Sequence, residues 1–503
     1  MSRMPYTLPL LSAVALVLVF YPANLWWLAV FALAPLYYFA AAYPAHPLRV
    51  TLWGAFATGA LYASYLSVLT VVQFHWLPPA YLFAWGVRLS FIPIALISGT
   101  LMGCAFLLYR LLRTRHAPLN ALVGGALFTL SELILKYIFG SFYFGAIGSA
   151  ATGVPFLLPL AALGGEPLLS FVFATAAAFV AEAFISRRSI PWAAGFVMLA
   201  VAAAAWAHPV LSGHEPFSVA VIQLGDRKEA GFARVGEEIS FPQLEARLAE
   251  AQQLEPDLII YPFSPVEGAV FRGGETPPRS ALGVREEALG AWLARAAPRS
   301  TVMTWNPVRD DGAYYNAYQY WRGGEMVGEY RKRALFPFLD YTPQWAKRLG
   351  LYTTVFDVSQ SAGGTVKIGE VTLGALLCSE VNHPELARED AARALLLVAA
   401  GSEAMFESGI ASDFNLRAAQ LRAAENAVSV VRANLLGPSA LIASDGSIIN
   451  ILPQGASGVL HGTLNLGKST TTPFGRFGSA PLWGMLVALP LVAALLRRYG
   501  IHE

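Results

Sequence analysis

Apolar residues run almost unbroken through long stretches of the first 208 positions and again near the C-terminus; between them, apolar and polar positions alternate. A helix needs about 20 residues to cross a hydrocarbon core of about 30 Å. Runs at 7–23, 25–43, 50–72, 85–109, 119–139, 166–185, 190–208 and 480–496 reach or approach that length. They predict about eight membrane-spanning helices, seven of them before residue 209. The first run is short and shares features with a signal peptide. No small-residue cleavage site follows it and another apolar run begins at once, so it reads as the first span.

Residues 209–479 follow shorter periods. Strand-like runs occupy 217–224, 257–263, 300–306, 371–378, 394–400 and 428–435, and 314–321 is suited to pair with the strand before it. Helical spacing occupies 240–255, 285–297 and 415–427, the first with apolar positions at Leu244, Leu248 and Leu254. The stretch 268–283, rich in Gly, Pro and Arg, reads as loop, and Ser444-Asp445-Gly446 carries a hairpin signal. Such alternation argues for α/β layering. The expected organisation is a membrane domain of seven helices over 1–208, an extramembrane α/β domain over 209–479, and a closing transmembrane helix with a cytoplasmic tail over 480–503.

Composition agrees with this division. Of 503 residues, 55% are hydrophobic and 14% charged, against roughly a quarter charged in a soluble domain. The net charge of +2, with no basic stripe, excludes nucleic acid as a partner. Arg3, Arg49, Arg110, Arg113, Arg115, Arg187, Arg188, Arg497 and Arg498 all fall on one side of an eight-span arrangement, while Arg88 and Lys136 lie near the other. The Arg-rich side is cytoplasmic by the positive-inside rule, so both termini are inside and 209–479 faces outward.

The chain has two cysteines: Cys104 in an apolar span and Cys378 in the extramembrane domain. Alone there, Cys378 makes no intradomain disulfide; it is either a small buried hydrophobe or a working thiol. It ends an apolar run and is followed by Ser379 and Glu380. Two other segments end with polar residues in the same manner, 258–267 and 330–341. A lysine near such a thiol stabilises the thiolate and a developing oxyanion, and a carboxylate takes the proton. Lys332 stands between Arg331 and Arg333, so a solvated basic patch is as fair a reading of that residue as a catalytic one. Glu132 lies in an apolar span, where an ionisable side chain marks a function or a packing partner such as Lys136.

Several segments together resemble one family. They are Tyr315-Asn316; Tyr330-x-Lys332-x-x-Leu335-x-Pro337-Phe338-x-Asp340-Tyr341-x-Pro343; Cys378-Ser379-Glu380; Arg422-Ala423-x-Glu425 with Arg432-Ala433-Asn434; and Glu132 followed by 142–148. In this order and spacing the chain resembles the apolipoprotein N-acyltransferases, membrane-embedded members of the nitrilase (carbon–nitrogen hydrolase) superfamily. The resemblance implies an α-β-β-α sandwich for the outer domain and a Glu–Lys–Cys triad without metal or cofactor. Cys378 is then the nucleophile, Lys332 holds the oxyanion, and Glu380 supports the site. A phospholipid donates an acyl chain to form a thioester, and the N-terminal amine of a diacylglyceryl-cysteine lipoprotein accepts it. The resemblance also implies a monomer in a bacterial inner membrane with the catalytic domain in the periplasm.

The departures bear on the chemistry. The family's Trp-Pro-Glu segment reads Tyr261-Pro262-Phe263 here, and phenylalanine accepts no proton. Glu267, four residues on, is the first replacement base, or else a solvated loop charge; Glu380 is the second, read as support rather than base, and Glu403 and Asp340 come after it. Asp340 stands where Glu is usual, and Ser402-Glu403-Ala404-Met405-Phe406-Glu407 and Phe414-Asn415 replace two segments of the substrate wall. Asp340, Glu403, Met405 and Phe263 are therefore the candidate substrate-binding positions. Three readings stay open: an active lipoprotein N-acyltransferase with a shifted base, a related acyltransferase using another amine, and a silent homologue that binds lipids or lipoproteins.

Overall fold

The computed structural model describes residues 7–20, 25–42, 47–71, 91–140, 145–208, 211–225, 242–264, 269–272, 283–337, 340–341, 344–348, 356, 364–402, 409–469 and 471–499. The chain divides into two compact units, Met1–His208 with Thr472–Glu503, and Pro209–Thr471. The second boundary falls before the expected residue 480, because Thr472 already caps a one-turn helix, Pro473–Phe477, by accepting the Gly475 N–H at 2.8 Å.

In the helical unit, five described helices are long and apolar enough to cross a membrane: Ile92–Leu112, Ala117–Phe139, Leu158–Ile185, Arg187–Trp206 and Ala480–Arg498. The helix Leu48–Val71 adds 24 residues. The two earliest runs form less helix than their hydropathy suggests. The first is helical over Thr7–Val19. The second splits into a 3-10 turn, Trp26–Val30, and a helix, Ala34–Ala42, where Pro35 is suited to the start of a helix and not to its interior. The long helix ending at Ile185 is broken at Gly164 and Gly165, just before Pro167. Several charged side chains inside this unit have internal partners. Glu132 accepts the Ile147 N–H at 2.9 Å, Lys136 pairs with Glu166 at 2.7 Å, and Arg113 pairs with Glu182 at 2.8 Å.

The second unit holds two sheets. One runs β14 (Gly458–Ser469), β1 (Leu211–Gln223), β2 (Leu258–Tyr261), β5 (Thr301–Asp310), β3 (Ala269–Phe271), β4 (Gly283–Arg285), with β6 (Ala313–Arg322) on β5 and β7 (Glu325–Arg331) on β6. The other runs β13 (Ile448–Leu452), β12 (Ser439–Ile442), β11 (Ser429–Asn434), β10 (Leu396–Gly401), β9 (Val371–Leu377), β8 (Thr365–Ile368). Their inner faces share one core, including Val219, Ile260, Met303, Leu373, Val398 and Val431. The helices Pro242–Gln253 and Glu286–Ala296 cover the first sheet, and Pro384–Ala391 and Gly409–Asn426 cover the second. The result is an α-β-β-α sandwich. β10 is buried at every position, as expected of a parallel strand with both faces covered.

Local details depart from expectation where the chain turns. The first outer helix stops at Gln253, buries Leu244, Leu248 and Ala251, and leaves Leu254 41% exposed. The stretch taken as loop, 268–283, contains β3 and the start of β4, buried despite their brevity. β5 and β6 form a hairpin at Asp311-Gly312, both with positive φ, as a primed two-residue turn requires.

Candidate active site

β9 ends at Leu377, and Cys378 follows in the left-handed region at φ 55° before a 3-10 turn, Cys378–Asn382. For a residue with a Cβ this conformation costs about 1–2 kcal/mol. It turns the chain sharply, so the thiol lies at the strand end, half-buried and outside any disulfide. Gly401, the last residue of the neighbouring strand β10, makes room for the turn. A Cβ there would lie 3.0 Å from Cys378 Cα.

Glu380 holds this turn against the segment after β7. It is fully buried. One carboxylate oxygen accepts the N–H groups of Arg333 at 2.7 Å and Ala334 at 2.8 Å; the other accepts the Tyr330 hydroxyl at 2.6 Å and the Leu377 N–H at 2.8 Å. Burial pushes its pKa upward, and the Lys332 charge, the tyrosine and the backbone donors only partly offset this. A buried Arg422, bidentate to Glu425 at 2.7 Å, donates to the Val381 carbonyl and fixes the far side of the turn. Asn415 accepts from Asn382 at 2.9 Å on the same turn.

Lys332 follows β7 directly and is 2% exposed. Its ammonium donates to Asp340 at 2.5 Å. Burial pulls the lysine pKa down, but Asp340, then Cys378 and Glu380, more than reverse this, so it stays charged. Arg331 and Arg333 are engaged elsewhere, Arg331 with Asp310 and Glu329, Arg333 with Asp390 and Glu389. The cationic triplet is therefore one buried lysine flanked by two ion-paired arginines, not a solvated patch. Asp340 also accepts the Phe336 N–H at 2.7 Å and the Asn316 amide at 2.9 Å.

Phe263 belongs to the apolar cluster beneath the outer helices, and its ring lies 5.4 Å from that of Trp305. The Trp305 indole N–H donates to Asn316 Oδ1. A continuous line of contacts thus leads from Phe263 through Trp305, Asn316 and Asp340 to Lys332. Cys378, Lys332, Glu380 and Asp340 are brought together, with Phe263 joined to them through this line. Glu267, Glu403 and Met405 lie outside the described residues. Trp305 was not legible as a site residue because its link to Asn316 crosses a hairpin. Tyr318, whose hydroxyl donates to the Ala400 carbonyl of the facing sheet, was not legible for a similar reason.

The comparisons with known proteins cover both units. The carbon-nitrogen hydrolase family model matches residues 287–474, and the apolipoprotein N-acyltransferase N-terminal domain model matches residues 12–179. The first includes Lys332, Asp340, Cys378 and Glu380 but begins after Phe263. The apolipoprotein N-acyltransferase of Azotobacter vinelandii is 31% identical over 510 residues, covering 95% of this chain and 92% of the relative. That of Pseudomonas paraeruginosa is 29% identical over 430 residues, covering 79% and 78%. Among solved structures, an amidase from Nesterenkonia sp. is similar at 17% identity and a TM-score of 0.37, covering 54% of this chain and 97% of that one.

Proposed function

That the chain belongs to the apolipoprotein N-acyltransferase family is the premise from which we propose how its residues work and on which side of the membrane. The protein is a multi-pass membrane enzyme of the bacterial inner membrane and transfers acyl groups to lipoproteins through a thioester. We place the sandwich in the periplasm, which the distribution of arginines supports.

Cys378 attacks the ester carbonyl of a phospholipid. A carbon–sulfur bond forms and the carbon–oxygen bond to glycerol breaks. The thiol proton passes to a carboxylate and then to the departing oxygen, which leaves as lysophospholipid. In the second half, the neutral α-amine of a diacylglyceryl-cysteine N-terminus attacks the thioester. Its proton goes to sulfur, giving the amide and regenerating the thiol. Lys332 faces the tetrahedral oxyanion in both halves. Being already charged and paired, it needs no reorganisation when that charge appears. Glu380 is the support that fixes the Cys378 turn relative to Lys332.

The observation that carries this reading is the left-handed Cys378, on a turn that Glu380 ties to the segment holding the buried, ion-paired Lys332. Intact-mass analysis after incubation with phospholipid tests it. Wild type gains one acyl mass that hydroxylamine releases, and Cys378→Ala gains none. An adduct of the same mass on Cys378→Ala refutes the assignment.

A further inference from the structure

Position 263 holds a phenylalanine, yet the thiol proton needs an acceptor. Among the described residues, two buried carboxylates act on Lys332: Asp340 and Glu380. They differ in the acceptor capacity left to them. An ionised carboxylate offers about four lone-pair sites. Glu380 has two donors on each oxygen. A proton arriving there would displace one of them, three being backbone N–H groups with nowhere to turn. Asp340 has Lys332 and Phe336 on Oδ2 but only the Asn316 amide on Oδ1. A proton that crosses from Lys332 Nζ arrives on Oδ2 along a hydrogen bond that already exists, so it displaces no donor.

The orientation of Asn316 is fixed by Trp305, whose ring packs against Phe263. Trp305 can only donate, so its bond to Asn316 Oδ1 forces the amide nitrogen towards Asp340. Trp305 is in turn held against Phe263. The phenylalanine that removes a carboxylate from its usual place thus also helps to set the environment of Asp340.

Resting on the acyl-transfer reading, we propose that Asp340, acting through Lys332, takes up the Cys378 proton in place of a carboxylate at position 263. As sulfur bonds to the carbonyl carbon, the S–H proton moves to Lys332 Nζ and one of the three ammonium protons moves to Asp340. The lysine ends as charged as it began, and Asp340 ends as a carboxylic acid. On collapse of the tetrahedral adduct the same path runs backwards and delivers the proton to the glycerol oxygen. Asp340 touches Lys332 and not the reacting atoms, so it is a positioning residue that stores a proton.

The test uses the full chain in lipid nanodiscs and two readouts from pH 6 to 9: thioester formation by intact mass, and iodoacetamide labelling of Cys378 followed by its peptide. Asp340→Asn slows thioester formation by about 100-fold, the lower range for losing a general base. The same change leaves the Lys332 charge uncompensated beside the sulfur, so Cys378 labels at lower pH than in wild type. A purely structural role would depress both readouts together. Glu267→Gln causes the smaller loss of acylation.

The inference is overturned if Asp340→Asn acylates within about threefold of wild type, if labelling is unshifted, if both readouts fall together, or if Glu267→Gln causes the larger loss. Acylation of Cys378→Ala overturns the acyl-transfer reading itself. A wild type acylated on Cys378 and matched by Asp340→Asn overturns the inference alone.

Discussion

Gly401→Ala adds one methyl group where the nucleophile's turn meets β10. Its Cβ would stand 3.0 Å from Cys378 Cα and 3.2 Å from Cys378 Cβ. Carbon atoms prefer about 3.5–4.0 Å, so one side must retreat by roughly half an ångström. β10 has little freedom to do so. It is paired with β9 and β11, and the Ala400 carbonyl is held by Tyr318 from the facing sheet. The displacement falls on Cys378, which is already in the left-handed region. Overpacking of this kind destabilises by about 1–3 kcal/mol. A 1 Å misplacement in a catalytic site costs about 100-fold in rate, so half that distance gives roughly 10-fold or more. Gly458→Ala is the control, since the nearest atom to its Cβ, Leu452 Cδ2, is 4.0 Å away. Thermal unfolding and the rate of thioester formation should separate the two variants. Gly401→Ala acylating within about threefold of wild type would show that the Cys378 turn is not set by this contact.

Three further changes probe the same site. Glu380→Gln places an amide nitrogen opposite donors; Tyr330 can rotate to accept from it, but the Leu377 N–H is left unpaired, so stability should fall by about 2–4 kcal/mol in chemical unfolding. A loss under about 0.5 kcal/mol would mean the turn is held by other contacts. Phe263→Glu buries a carboxylate beside Trp305 and removes an aromatic ring, so it should destabilise by about 3 kcal/mol or more without accelerating thioester formation; a faster rate would show that position 263 still awaits its base. Replacing the ion pair as a unit, Lys332→Met with Asp340→Leu, should abolish acylation and cost only about 1–3 kcal/mol, from the Phe336 N–H and Asn316 amide that lose their acceptor, and a much larger loss of stability would make the pair structural.

Much of this molecule was legible along the chain because its signals are local. The apolar runs, the helix 285–297 seen as Glu286–Ala296 and the strand run ending at Cys378 all rest on nearby residues. Element ends and short strands were less legible. β3 and β4 are three residues each, too short for a period to register. β8, β12, β13 and β14 draw their stability from pairing with distant segments, as β14 does along β1. In the site, Cys378, Lys332 and Glu380 stood out through the motifs that carry the family resemblance. The line from Phe263 to Asp340 did not, because it joins four segments that only the hairpin of β5 and β6 and the turn after β7 bring together.

Three features of the site work against stability. Cys378 adopts a backbone conformation that costs about 1–2 kcal/mol. Lys332 and Asp340 form a buried ion pair, an arrangement that well-packed apolar residues commonly match or improve upon. Glu380 is fully buried, with a pKa raised because burial outweighs its favourable partners. A carboxylate whose folded-state pKa is raised weakens the fold progressively as pH rises from its ordinary 4.5 through the folded value. A chain that only bound lipids would need none of these. Their convergence on one thiol is what acyl transfer requires: a sulfur at the strand end, a cation fixed beside it, and a turn held rigid between them. Phenylalanine at position 263 leaves all three in place.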